Sequence, residues 1–277
     1  MFQYAAGRAL AARRGCSLKL DTRQLSTDSL RSFALGHFSL NADELTDADR
    51  KALGLPASGG TGEPRFLERL LRRKQTPVIR ERKYEFDEAV LDSPAPCYLQ
   101  GYWQSPKYFA DIESQIRKEF TVKAPLAGQN LVVAGRIGGC MAVSLHVRRG
   151  DYVDNAHTHR YHGTCGAEYY GVAERYLLRR IESPQLFVFS DDPDWAEANL
   201  RFRSPVTILR HNGPERDYED LRLMTMCRHH IIANSTFSWW GAWLCQNPGK
   251  IVIAPKNWFR EANHSTADLI PDSWIRL

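Results

Sequence analysis

The sequence has no C-x-x-C pair. Its six cysteines, Cys16, Cys97, Cys140, Cys165, Cys227 and Cys245, are scattered. That pattern excludes zinc ribbons and dithiol redox motifs and predicts reduced, partly buried thiols. Cys227, His229 and His230 lie too close together, with no partner pair, to form a zinc site. There is no uninterrupted apolar run of about 18 residues, which excludes a transmembrane helix. P-loop, nucleophile-elbow and zincin patterns are missing too, as are repeats at solenoid periods. The opening MFQYAAGRALAARRG shows no basic n-region or cleavage pattern, so a cytoplasmic location is expected. Nor is there a strong charge of one sign: 37 Lys and Arg against 32 Asp and Glu leave +5. So mild an excess is compatible with anionic small molecules but selects no partner. The basic residues are dispersed and no recognised module is present, which argues against nucleic acid.

What is there is core and pattern. Across 277 residues, 43% are hydrophobic, enough for one large or two medium α/β domains. Phe2, Ala5, Ala6, Ala9 and Leu10 follow helical spacing, Gly15 is the natural stop, and CSLKLD (Cys16–Asp21) reads as a short strand. An α/β domain usually opens on a strand and a phosphate-facing turn, so a strand is expected to precede this helix. Residues 28–94 are weakly patterned. They include the loop GLPASGGTGEP (Gly54–Pro64) and an amphipathic basic helix, FLERLLRRK (Phe66–Lys74). A solvated face is the plain reading of that helix, and peripheral attachment to the inner face of an anionic membrane the sharper one. GYWQSPKYFADIESQIRKEF (Gly101–Phe120) is an aromatic loop feeding a helix, and APLAGQN (Ala124–Asn130) is a candidate linker.

Beyond it the alternation is clear. Strands are predicted at Met141–Val147, Gln185–Phe189, Val206–Leu209, His230–Ala233 and Ile251–Ala254. Helices are predicted at Ala167–Ile181, near Asp194–Leu200, at Tyr218–Cys227 and at Ser238–Gln246. Near-continuous apolar strands with helical crossovers imply a parallel sheet covered on both faces.

Four unusual stretches sit just past strand carboxyl ends: Arg148-Arg149-Gly150-Asp151, Ser190-Asp191-Asp192, Asn234 through Trp240, and Pro255 through Phe259. Ligands of open parallel sheets bind outside those ends, so the four stretches form one candidate site. Two adjacent arginines suit a diphosphate, because their planar forks hold phosphate oxygens bidentately. A structural ion-pair arrangement with Asp151 is the competing reading. Ser235 and Thr236 sit at the mouth of a helix whose free N–H groups make an anion site. Asp220, on a helix leading to the same edge, has the acceptors to read a guanine. His146 is either a satisfied core histidine or a phosphate contact. Asp192-Pro193-Asp194 has the D-x-D form of metal-dependent sugar transferases, but the proline and following helix favour an N-cap. Trp240 and Trp243 are expected in the core, and Trp239 stays open between core and platform.

His146-Val147-Arg148-Arg149-Gly150-Asp151 resembles the H-x-R-R-x-D motif of fucosyltransferases that use GDP-fucose. ANSTFSWWGAWL (Ala233–Leu244), FVFSDDPDW (Phe187–Trp195), IVIAPKNWF (Ile251–Phe259), GYWQSPKYF (Gly101–Phe109) and MFQYAAGRALA (Met1–Ala11) look like further blocks of the bacterial alpha-1,2-fucosyltransferases. The blocks span nearly the whole chain. The family's first strand and G-G-L-G-N-Q turn have no counterpart ahead of Met1, so lowered activity of this chain is expected. The resemblance implies a GT-B α/β fold of two Rossmann-like domains with parallel sheets: an acceptor side at 1–130 and a GDP-fucose-binding half at 131–277. It implies metal-independent, inverting transfer from GDP-β-L-fucose to the 2-hydroxyl of a terminal β-galactoside, with no cofactor beyond the donor. His146, Arg148, Arg149, Asn234, Ser235 and Thr236 would then line the diphosphate and Asp220 the guanine. Asp151 would orient an arginine or act near the acceptor, while the general base stays open among Asp151, Asp191 and Asp192. Tyr102 or Trp103 would stack on the acceptor sugar. The rivals are another linkage, another GDP-sugar, or a non-catalytic nucleotide-sugar or glycan-binding protein.

Overall fold

The computed structural model describes residues 1–26, 33–55, 76–150, 160, 163–260 and 265–277. They form two compact units. One comprises Met1–Thr121 with Ala267–Leu269, the other Val122–Thr266 with Ile270–Leu277. The division thus falls at Thr121/Val122, not after residue 130.

The first unit opens on α1 (Phe2–Arg14), which buries Phe2, Tyr4, Ala5, Ala6, Ala9 and Leu10. Its small alanine face lets neighbours approach closely, and Arg13 and Arg14 in the last turn complement the helix dipole. Gly15 ends it in the left-handed region at φ 61, returning its N–H to the last carbonyls. Of the predicted Cys16–Asp21 strand only β1 (Lys19–Leu20) forms, paired in parallel with β2 (Asp43–Glu44). A second parallel pair joins β3 (Val78–Arg80) to β4 (Tyr98–Gln100). Between them α2 (Asp47–Ala52) carries a full capping box from Thr46 and Asp49. The unit closes with α3 (Glu113–Glu119).

The second unit begins with α4 (Gly128–Gly138), whose first three residues take the end of the expected linker at Ala124–Asn130. Then follow β5 (Met141–Val147), α5 (Ala167–Leu178), β6 (Pro184–Ser190), α6 (Pro193–Asn199), β7 (Val206–Ile208) and α7 (Asp217–Met226). The chain continues through β8 (His229–Ile231), α8 (Thr236–Leu244), β9 (Val252–Ala254) and β10 (Ile275–Arg276). All six strands run parallel, in the order β7-β6-β5-β8-β9-β10.

Alternation along β5 explains the two-sided burial. Val143, Leu145 and Val147 face a core shared with Tyr170, Ala173 and Leu177 of α5 and Ala196 of α6. Ala142 points the other way, with Phe187 and Phe189, onto Val133 and Ile137 of α4 and Leu223 and Met224 of α7. The helices following β5 and β6 therefore cover one face, and α4 and α7 the opposite one, with α8 packed against α7. Strand order builds outward from β5 to β7, then jumps back to β8 and proceeds the other way. Between β5 and β8 the progression reverses, and such a switch point opens a crevice outside the strand carboxyl ends. The α/β class with parallel sheets is what the structure shows.

Candidate functional site

The β5/β8 crevice is where the sequence concentrates its polar residues. In the β5–β6 ladder the last pair is Val147 opposite Ser190, so the residues that follow leave the sheet side by side. Arg148 extends one guanidinium nitrogen to Asp191 Oδ2 at 3.0 Å. The Arg149 backbone N–H donates to Asp191 Oδ1 at 2.8 Å, and its Nε donates to Asp192 Oδ2 at 3.2 Å. Beneath the Arg149 guanidinium lies the Trp195 ring, 4.1 Å from carbon to centroid, a cation–π contact that fixes the plane of the fork. The expected partner Asp151 lies outside the described residues. Among those described, the arginines' carboxylate partners come from the neighbouring strand end.

Asp192 does two jobs. Its Oδ1 accepts from the Trp195 N–H at 3.0 Å, capping α6, while Oδ2 faces Arg149. Asp194, the other arm of the D-x-D pattern, pairs with Arg210 at 2.6 Å. The N-cap expectation is met.

Across the switch point, α8 begins without a charged side chain in its first turn. Ser235 is the N-cap of α8 in extended geometry, yet its side chain makes no cap hydrogen bond and no acidic residue occupies the first turn. The first intrahelical bond is Trp239 N–H to Ser235 O at 3.0 Å, so the N–H groups of Thr236, Phe237 and Ser238 have no carbonyl of their own helix. His146 stands next to this turn, its ring 5.4 Å from that of Phe237. It is 4% exposed, and its Nδ1 has no hydrogen-bond partner among the described residues. Burial, reinforced by the Arg148 charge, holds its pKa down at about 3, so the ring is neutral. An uncapped helix start beside an unsatisfied buried imidazole can receive an anion.

Asn234 is turned to structure. Its Nδ2 donates to the Gly163 and Trp258 carbonyls at 3.3 and 3.2 Å, tying two loops to the end of β8. Trp258 and Phe259 are themselves buried, so the Pro255–Phe259 stretch forms a wall. Trp239, Trp240 and Trp243 are all core: Trp239 has no exposed surface and stacks on Trp243 at 6.0 Å, with Trp274 beside it.

Asp220 sits in the first turn of α7. Its Oδ1 accepts from Asn212 Nδ2 at 2.7 Å, and Asn212 exchanges bonds with the buried Asn130 of α4. His211 joins through its Nε2, 2.8 Å from Asn130 Oδ1. Burial raises the Asp220 pKa to about 6, only partly offset by the Asn212 bond. Sequence reasoning missed Asn130, His211 and Asn212, because their approach spans some eighty positions. It also missed Tyr169 and Tyr170 on α5, whose hydroxyls donate to Ile232 O at 2.7 Å and His146 O at 3.0 Å, pinning the ends of β8 and β5. An adjacent tyrosine pair in the first turn of a helix was the available signal.

In the first unit, Trp103 is 1% exposed and packs edge-on against Tyr108, so it cannot stack on a sugar. Tyr102 is 53% exposed and lies nearly parallel to Tyr84, centroids 6.1 Å apart. The Glu81 carboxylate holds this corner by accepting from the Tyr102 and Trp103 N–H groups at 2.7 and 2.9 Å. The basic segment Phe66–Lys74 lies outside the described residues, so membrane attachment gains no support. Among the described residues no helix is long and apolar enough to cross a membrane.

The family model described as glycosyl transferase family 11 matches residues 79–277. An alpha-1,2-colitosyltransferase of Escherichia coli is 33% identical over all of this chain and 94% of its own length. The O-antigen biosynthesis glycosyltransferase WbnK of Escherichia coli is 31% identical, over all of this chain and 96% of its own. Human galactoside alpha-(1,2)-fucosyltransferase 1 is 31% identical over 53% of this chain and 42% of its own. Among solved structures, fucosyltransferase NodZ from Bradyrhizobium aligns over 87% of this chain and 86% of its own at 12% identity, with a TM-score of 0.37, too distant to inform individual residues.

Proposed function

The chain belongs to glycosyl transferase family 11, and from that membership we propose that it moves L-fucose from GDP-β-L-fucose to the 2-hydroxyl of a terminal β-galactoside, with inversion. The observation that carries the proposal is the pairing, across the β5/β8 switch point, of an arginine fork with an uncapped helix start. The acceptor oxygen attacks C1 of the fucose from the face opposite the nucleotide. The bond from C1 to the β-phosphate oxygen breaks, and negative charge grows on the leaving diphosphate. Arg148, Arg149 and the amides of Thr236 and Phe237 meet that charge with donors already in place, and such donors favour the transition state over the ground state. Ser235, Thr236 and neutral His146 supply further hydrogen bonds, and Asn234 acts through the loops it ties. Asp220 takes the guanine edge.

Transfer without a metal is supported by the commitments of Asp192 to the α6 cap and of Asp194 to Arg210. The acceptor proton that leaves as the new bond forms passes to Asp151, the remaining candidate, since the oxygens of Asp191 and Asp192 already face arginines and backbone N–H groups. Tyr102, exposed and braced by Glu81, is the aromatic offered to the acceptor. A second donor reading is favoured by one observation: a relative 33% identical across this whole chain is an alpha-1,2-colitosyltransferase. Both readings share the linkage and differ only in the deoxy-sugar. The test incubates the protein with GDP-fucose, GDP-colitose or GDP-mannose and a panel of β-galactosides in EDTA, followed by NMR assignment of the product. An α1→2 fucoside is expected; colitose transfer alone selects the second reading, and a different linkage or a manganese requirement defeats the first.

A further inference from the structure

The two arginines are held by a carboxylate that the chemistry of transfer does not use. Asp191 spends Oδ1 on the Arg149 backbone N–H, at 2.8 Å, and Oδ2 on the Arg148 guanidinium, at 3.0 Å. The first bond fixes the main chain just past the end of β5, and the second aims a side chain. Gly150 closes against the same group: a Cβ built there would stand 2.7 Å from Asp191 Oδ2, closer than real Cβ atoms approach. The Gly150 backbone lies outside the left-handed region, so what the position demands is space for the carboxylate, not backbone freedom. Asp192, the next residue, divides its oxygens between a helix cap and Arg149. One acidic strand end therefore grips both arginines, and among the described residues it is Asp191 whose side chain also holds backbone, at the Arg149 N–H.

We propose that Asp191 is the positioning residue of the anion site: it locks the Arg148-Arg149-Gly150 turn in the geometry that receives a diphosphate. This rests on the donor reading above. When a diphosphate arrives and Arg148 turns toward it, the bond from the Arg149 N–H to Asp191 remains, so the turn keeps its shape while the fork changes partner. A carboxylate acceptor suits that task, because a bond from a backbone N–H to an ionised oxygen is stronger than one to a neutral oxygen.

Three roles for Asp191 predict different results in a calorimetric GDP titration run beside kcat and KM for the donor. Positioning predicts that Asp191→Ala weakens GDP binding roughly tenfold or more, the usual worth of a charge-assisted bond. Asp191→Asn, whose amide oxygen still accepts from the Arg149 N–H, should stay within roughly threefold of the unmodified protein on the same scale. Gly150→Ala, which pushes the carboxylate away without removing it, should resemble Asp191→Ala. Thermal melts identify any variant that fails to fold; Asp191→Asn and Gly150→Ala then carry the comparison. The proposal is overturned if both Asp191 variants bind GDP normally yet lose turnover, which marks a proton acceptor. It is equally overturned if Asp191→Ala binds GDP more tightly, which marks a mere counter-charge. Failure of the unmodified protein to bind GDP would instead remove the donor reading, and Asp191's role with it.

Discussion

On either side of the β5/β8 switch point the same sheet edge prepares for an anion by opposite means. The β5–β6 side uses full charges, Arg148 and Arg149, and balances each against a carboxylate on the adjacent strand end. The start of α8, just past β8, uses backbone dipoles, with no charged side chain in its first turn and no cap bond from the Ser235 side chain. A buried or half-buried cation left unpaired is costly, so the charged side needs its own counter-ions in the empty protein. Peptide dipoles carry only partial charge, which small polar neighbours and a neutral histidine can border. The charged side is therefore built for strength and the dipolar side for geometry. Substitutions on the two sides should fail differently.

The largest effect is expected on the charged side. Arg149→Lys keeps the charge but loses the planar fork, the Nε bond to Asp192 and the flat contact with Trp195. Turnover should fall roughly 30- to 1000-fold, the range for one preorganised transition-state donor. A folded lysine variant with near-normal kcat would show that charge alone suffices and erase the distinction.

On the dipolar side the expected loss is smaller and leaves stability alone. Removing an N-cap hydroxyl typically costs about 1 kcal/mol of stability, but Ser235 makes no cap bond here. Ser235→Ala should therefore shift stability by no more than about 0.5 kcal/mol. It should still weaken GDP binding by roughly fivefold, one hydrogen bond's worth. Denaturant melts and calorimetry on one preparation check both. A large stability loss would mean that the hydroxyl serves the helix and not the ligand.

Asp220 gives the subtlest contrast, because there function opposes stability. Its pKa is raised to about 6 by burial, so the folded state holds its proton more tightly than the unfolded chain does. Between roughly pH 4 and 6 its contribution to stability declines as pH rises, and above that window the charged form is a standing cost. Asp220→Asn should stabilise the protein by about 1 kcal/mol at pH 8, with the gain vanishing toward pH 4. If Asp220 reads guanine, the same variant binds GDP more weakly while melting higher. Melting curves across pH 4–8 showing no pH-dependent gain would contradict the buried-carboxylate account.

How much of this was legible in the sequence follows the same divide. The strands of the second unit announced themselves because a parallel sheet buried on both faces demands continuous apolar runs, as in Met141–Val147, ended by polar residues. The arginines, the helix start at Ser235 and the Asp192 cap were readable because each lies within a few residues of its own signal. Helix α4 was hidden: Gly128, Gly135 and Gly138 imitate a linker, and only packing of Val133 and Ile137 against the sheet compensates for their weak propensity. A two-residue strand such as β2 carries no periodicity to detect. Asp191's grip on Arg149 and the Asn130–Asn212–Asp220 chain are contacts across neighbouring strands and helices, and no local spacing encodes them. Trp103 was misjudged because exposure of an aromatic depends on the corner that Glu81 folds around it.

The central claim is that both sides of the switch point close on one diphosphate. A titration of isotope-labelled protein with GDP, followed by amide NMR, reads both sides at once. The backbone amides of Thr236 and Phe237 should shift together with that of Arg149, all saturating with a single affinity. Inorganic phosphate should move the same amides at higher concentration. Movement on one side only, or two distinct affinities for the two sides, would contradict the claim.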